Sequence, residues 1–146
     1  LPVAEAIGLA KTARTELEQG VTGRVLIIED EPLIAEGVAM LVESLGVEVV
    51  AMARSRDQAV ALAAKHQPDV VLADFDLGGG GTGLDAVKQI SSEMPAVAIF
   101  ITAFPDEVLT GEDYEPTFVL AKPYRERALK TALAYSLKAP RAELVE

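Results

Sequence analysis

A doubly wound α/β sheet is the fold class this sequence predicts, and three observations predict it. From Arg24 onward, short apolar runs recur along the chain. The stretches between them carry apolar residues at helical spacing, and polar or acidic groups close several of the runs. Strands alternating with helices imply a parallel sheet covered by helices on both faces. Short right-handed crossovers then narrow the topology to a five-stranded flavodoxin-like sheet.

Leu1 to Glu18 reads as a helix with a broad apolar stripe from Ile7, Leu9, Ala10, Ala13 and Leu17. Pro2 sits near its start and Gly20 stops it, so residues 1–19 form an N-terminal helix and 20–23 a linker. Arg24 to Glu29 is the first strand, ending in Glu29-Asp30-Glu31. Pro32 opens a helix on which Leu33, Ile34, Val38, Leu41, Val42 and Leu45 recur, and Gly46 ends it. Glu48 to Met52 is the second strand. Ser55 caps a helix from about Arg56 to Lys65, and Pro68 breaks the chain there. Asp69 to Asp74 is the third strand, its unbroken apolar run being that of a strand buried on both faces. A run of glycines, Gly78 to Gly81, follows, and then a helix lined by Leu84, Val87 and Ile90. Ala96 to Ile101 is the fourth strand, leading to Thr102-Ala103. Phe104 to Glu115 is the least regular stretch, with a short helix expected near Glu107 to Leu109. Thr117 to Lys122 is the fifth strand, Pro123 turns the chain, and Arg125 to Leu137 forms the last helix. The tail from Pro140 is expected to fray.

At 146 residues and 50% hydrophobic, the chain suffices for one ordinary domain with a small appendage. It has no cysteine, which excludes disulfide and thiolate chemistry, and its single histidine, His66, cannot build a His-rich metal site. No apolar run reaches spanning length and the first residues lack a signal-peptide pattern, so a soluble cytoplasmic protein is expected. The formal net charge of −10 argues against nucleic-acid binding and suits a bound cation or a basic partner.

The chemistry lies just past the strands. The first contributes Glu29, Asp30 and Glu31, the third Asp74 with Asp76 behind it, the fourth Thr102 and the fifth Lys122. In open α/β sheets ligands sit beyond the carboxyl ends of the strands. Several carboxylates crowded there call for compensation, and oxygen-only ligands favour Mg²⁺. A divalent cation, an ammonium and a hydroxyl around one carboxylate suit a phosphoryl group attacked in line by Asp74.

Taken singly, each group has a plainer reading. Glu29-Asp30-Glu31 could cap the helix at Pro32. Asp74 and Asp76 could be turn residues, Thr102 a strand-end hydroxyl with a local bond, and Lys122 a solvated surface lysine. The glycines read as a flexible loop, since no Gly-Lys-Ser/Thr follows them. His66 reads as a helix-end residue. The conjunction, each group at the end of a different strand, favours a shared site.

Glu29-Asp30-Glu31, Asp74, Thr102-Ala103 and Lys122-Pro123 stand in the order and context of a response-regulator receiver domain. The chain resembles that family from about Arg24 to Ala139. The resemblance implies a receiver over residues 24–139, with Asp74 accepting a phosphoryl group from a histidine kinase or phosphotransfer protein. It implies that Asp30 and Asp74 bind Mg²⁺ through side chains, Asp76 through its backbone carbonyl and Glu29 through water. Thr102 and Lys122 would bind phosphoryl oxygens, and the Lys122-Pro123 bond would be cis.

IIEDEPLIA (Ile27 to Ala35), LADFDLGGGGTGLDAV (Leu72 to Val87) and FITAFPDEVLTGEDYEPTFVLAKPY (Phe100 to Tyr124) resemble the PhyR-type, sigma-factor-mimicking general stress response regulators of alphaproteobacteria. That resemblance implies a sigma-like domain ahead of the receiver and an anti-sigma factor as partner of the complete protein. Residues 1–19 would then be the remnant of that sigma-like domain, and 140–146 a tail. With only Lys11 and Arg14 basic in the N-terminal helix, it fits sigma mimicry better than DNA reading. A stand-alone single-domain regulator is the alternative. Asp74-Phe75-Asp76 also resembles the D-x-D motif of Mg²⁺-dependent aspartyl phosphatases of the haloacid-dehalogenase type, but Glu29-Asp30 precedes the nucleophile and that family's further acidic pair follows it.

One departure concerns the output. Receivers usually carry an aromatic three positions before the lysine, where this chain has Val119, with Phe118 beside it. Strand alternation puts these two on opposite faces. The expected switch surface comprises Phe104, Phe118, Val119 and Tyr124.

Overall fold

The structure, a computed structural model, describes residues 23–75, 82–105 and 118–138. The expected N-terminal helix, Asp76, the glycine run, the short helix near 107–109 and the tail lie outside the described residues.

The strands are β1 (Arg24–Ile28), β2 (Glu48–Ala53), β3 (Val70–Asp74), β4 (Val97–Thr102) and β5 (Phe118–Ala121). The helices are α1 (Pro32–Ser44), α2 (Arg56–His66), α3 (Thr82–Glu93) and α4 (Glu126–Lys138). The strands form one sheet in the order β2-β1-β3-β4-β5. Every neighbouring pair is parallel. This is the doubly wound, flavodoxin-like order, with its switch point between β1 and β3.

Alternation along the strands divides the core in two. Val25, Ile27, Val70, Leu72, Ile99 and Ile101 pack with α1 and α4 on one face. Leu26, Ile28, Val71, Ala73, Ala98 and Phe100 pack with α2 and α3 on the other. All five residues of β3 are buried, as a central strand covered on both faces requires.

The helix boundaries have local causes. Pro32 occupies the first turn of α1, where its missing N–H costs nothing. Glu31, the residue before it, makes no side-chain capping hydrogen bond. Gly46, at φ 87°, ends α1 in a conformation that glycine adopts readily. Ser55 caps α2 by accepting from Gln58 N–H at 3.2 Å, and His66 is the last residue of that helix. The chain leaves α2 through Gln67 at φ 49°. No helix among the described residues is long and apolar enough to cross a membrane.

Candidate functional site

The crevice beyond the switch point collects the strand-end groups. Asp74, the last residue of β3, is buried, and so are Glu29, just past β1, and Thr102, the last residue of β4. Polar groups at such positions need partners. Asp74 has one in Lys122, whose Nζ lies 3.0 Å from Asp74 Oδ2. The lysine reaches there because Lys122 N–H donates to Thr102 O at 2.7 Å, fixing the backbone just past β5 against the end of β4. The Lys122-Pro123 peptide that follows is cis.

Glu29 approaches from the other side. Its N–H donates to Ala53 O at 2.9 Å, and its Oε1 accepts Glu31 N–H at 3.2 Å. Burial, above all, pushes its carboxyl up from 4.5 to about 8. A hydrogen bond with Asp74 and the charges of Asp74 and Asp30 act in the same direction, while the Glu31 N–H opposes them. The Glu29 carboxyl and the Lys122 ammonium thus flank Asp74. Asp30 is partly exposed and next in sequence.

The described residues contain no ready cluster of three or more metal-ligating side chains. Mg²⁺ commonly takes only one or two carboxylates and keeps several waters. The oxygen donors of Asp30 and Asp74 fit that habit.

Thr102 is placed differently from a simple phosphoryl donor. Its Oγ1 accepts Phe104 N–H at 2.9 Å, which ties the hydroxyl to the next turn of chain. Phe104 itself is 59% exposed. The other residues expected on the switch surface divide between the two sides of the sheet. Phe118 and Tyr124 pack against the α1/α4 core, whereas Val119 packs against the α2/α3 core, opposite Phe100 in register. Tyr124 is half-buried, and burial raises its hydroxyl pKa. It lines a cavity of about 60 Å³ beneath the acids, together with Ile34, Val38, Leu72, Ile101, Glu29, Asp74 and Lys122.

The structure thus brings Glu29, Asp74 and Lys122 into one network and places Thr102 at its edge. Asp76 lies outside the described residues. Sequence reading passed over Gly83, in the first turn of α3, where an added Cβ would run into the Asp74 carbonyl oxygen. A lone glycine beyond a glycine run carries no sign of such a contact.

The response regulator receiver domain family matches residues 25–134. The chain is 40% identical over 136 residues to the phyllosphere-induced regulator PhyR of Methylorubrum extorquens, covering 92% of this chain and 51% of the relative. The crystal structure of the response regulator PhyR from Brucella abortus superposes with a TM-score of 0.81 at 46% identity, covering 97% of this chain and 58% of that one. PhyR from Bartonella quintana, an anti-anti-sigma factor crystallised in complex with the anti-sigma factor NepR, matches at 40% identity and a TM-score of 0.58, covering 94% and 57%. The chain spans about half the length of the curated relatives it matches. The Asp74–Lys122 pair at the end of a central parallel strand, the doubly wound order and these likenesses agree: the chain belongs to the response regulator receiver domain family.

Proposed function

We propose that this chain is a receiver switched by phosphorylation of Asp74, taking the phosphoryl group from a histidine kinase or phosphotransfer protein. The observation that carries the reading is the buried Asp74 carboxylate held 3.0 Å from Lys122 Nζ at the switch point of the sheet. In line attack by Asp74 on a phosphoryl donor forms the acyl phosphate and releases the donor's leaving group. Lys122 then pairs with the phosphoryl oxygens in place of the free carboxylate, and the Thr102 hydroxyl supplies a hydrogen bond. By the family resemblance, the Asp30 and Asp74 side chains and the Asp76 carbonyl would hold Mg²⁺, with Glu29 acting through water, and the ion would neutralise charge on the incoming phosphoryl group.

The output follows from Thr102. Turning its hydroxyl toward a phosphoryl group changes the bond it accepts from Phe104 N–H, so the exposed Phe104 ring reports the state of the site. With Val119 where an aromatic usually stands, Phe104 takes over that role. The complete regulator carries a sigma-like domain, of which residues 1–19 are the remnant, and phosphorylation controls its binding to an anti-sigma factor in a general stress response. The receiver spans residues 24–139.

Incubation with acetyl phosphate and Mg²⁺, followed by intact mass measurement, tests the acceptor. Wild type gains one acid-labile phosphoryl adduct and Asp74→Asn gains none; an undiminished adduct in Asp74→Asn contradicts the proposal. Capture of an anti-sigma factor by the complete protein, compared with and without acetyl phosphate, tests the partner. Capture indifferent to phosphorylation contradicts that part alone, and Phe104→Ala is expected to lose the difference while still accepting phosphate.

A further inference from the structure

Asp74 is held by more than its side-chain partners. The peptide joining Asp74 to Phe75 is a single plane whose carbonyl and N–H point in opposite directions. On one side, Phe75 N–H donates to Ile101 O at 3.0 Å, continuing the β3–β4 ladder one residue past Asp74. On the other side, the Asp74 carbonyl faces Gly83 in the first turn of α3. A Cβ at Gly83 would collide with the Asp74 carbonyl oxygen and stand 3.2 Å from its carbon and 3.4 Å from Phe75 Cα. All three atoms are backbone, so no side chain can swing aside.

We infer that Gly83 is a positioning residue for the phosphoryl acceptor, letting the α3 backbone close against the Asp74–Phe75 peptide so that its plane, and with it the Asp74 carboxylate, is fixed toward Lys122. This rests on the reading of Asp74 as that acceptor. A methyl at position 83 has two outlets. Either the peptide plane turns, which tilts Phe75 N–H away from Ile101 O and swings the Asp74 side chain, or α3 withdraws from the sheet. The plane is the softer element, since α3 is anchored by buried Ala86, Val87 and Ile90. A displacement of about an ångström at a reacting group can cost on the order of a hundred-fold in rate.

Gly37 provides an internal control. It lies on the exposed side of α1, and a Cβ there meets nothing within 4 Å. Gly37→Ala is expected to leave phosphoryl uptake unchanged and to stabilise the fold. Leu84→Ala supplies a second control, since it weakens the packing of α3 against the α2/α3 core without adding an atom beside Asp74.

The experiment measures uptake from acetyl phosphate with Mg²⁺ by intact mass, across donor concentrations and below each variant's melting midpoint. It compares wild type, Gly37→Ala, Leu84→Ala, Gly83→Ala and the Gly37→Ala/Gly83→Ala pair, the last keeping the substitution in a stabilised background. Positioning predicts that Gly83→Ala lowers the maximal uptake rate by about ten- to a hundred-fold. The donor concentration at half-maximal rate should stay as in wild type, and Leu84→Ala should keep the wild-type maximal rate. A wild-type maximal rate in Gly83→Ala overturns the inference. So does a loss matched by Leu84→Ala, or failure of the double variant to fold, either of which makes Gly83 a packing residue only. Absence of uptake by wild type itself would instead contradict the reading of Asp74.

Discussion

Glu29 ties the electrostatics of the site to pH. Its carboxyl rises from 4.5 to about 8 on folding, chiefly by burial. Between those values the folded chain binds a proton that the unfolded chain releases, so stability from this group is complete below about 4.5 and is lost as pH climbs through about 8. Glu29→Gln keeps the hydrogen-bonding shape without the titration. Urea unfolding of the metal-free chain at several pH values should show wild-type stability falling by roughly a few kcal/mol across that window. In Glu29→Gln the fall should be much smaller; an equal fall in both would place the titration elsewhere. The places of Glu29, Asp74 and Lys122 just past apolar strands were legible in the sequence. The raised pKa of Glu29 was not, because it depends on burial and on the nearness of Asp74. Nor was the partner of the Thr102 hydroxyl, which is set by the turn leading to Phe104.

At the scale of elements, periodicity revealed the described strands and helices to within a residue or two, since burial on both faces leaves unbroken apolar runs in the strands. Ser55 was legible as a cap because serine before a helix offers an oxygen to an orphan N–H. Ser55→Ala should lower stability by about 1 kcal/mol, read as a lower melting midpoint. Gly37→Ala should raise stability by about 0.5–1 kcal/mol, since an exposed helix-interior glycine wastes backbone entropy. Opposite signs for these two substitutions are the check, and a destabilising Gly37→Ala would mean that the exposed face of α1 is covered. Gln67 in the left-handed region and the closeness of Gly83 to Asp74 escaped sequence reading. The first is imposed by the descent from α2 into β3, and the second exists only once α3 has packed on the sheet.

Across the whole molecule, the net charge of −10 repels itself. Raising NaCl from low to moderate concentration should increase the melting midpoint by screening. Mg²⁺ should do so at far lower concentration, adding about 2.7 kcal/mol when present at a hundred times its Kd. Asp30→Asn should leave the NaCl response intact and remove the excess effect of Mg²⁺; an unchanged Mg²⁺ response would assign the cation elsewhere. The acidic charge and the strand-end carboxylates were both visible in the sequence, but their meeting at one crevice depends on the order β2-β1-β3-β4-β5, which puts β3 between β1 and β4.

We propose that Asp74 is the residue that accepts the phosphoryl group. Borohydride reduces an acyl phosphate and marks the aspartate that carried it. Peptide mapping after acetyl phosphate, Mg²⁺ and borohydride should find the mark at Asp74. A mark on Asp30 or Asp76 with Asp74 untouched, or none on a folded and Mg²⁺-bound chain, would contradict it.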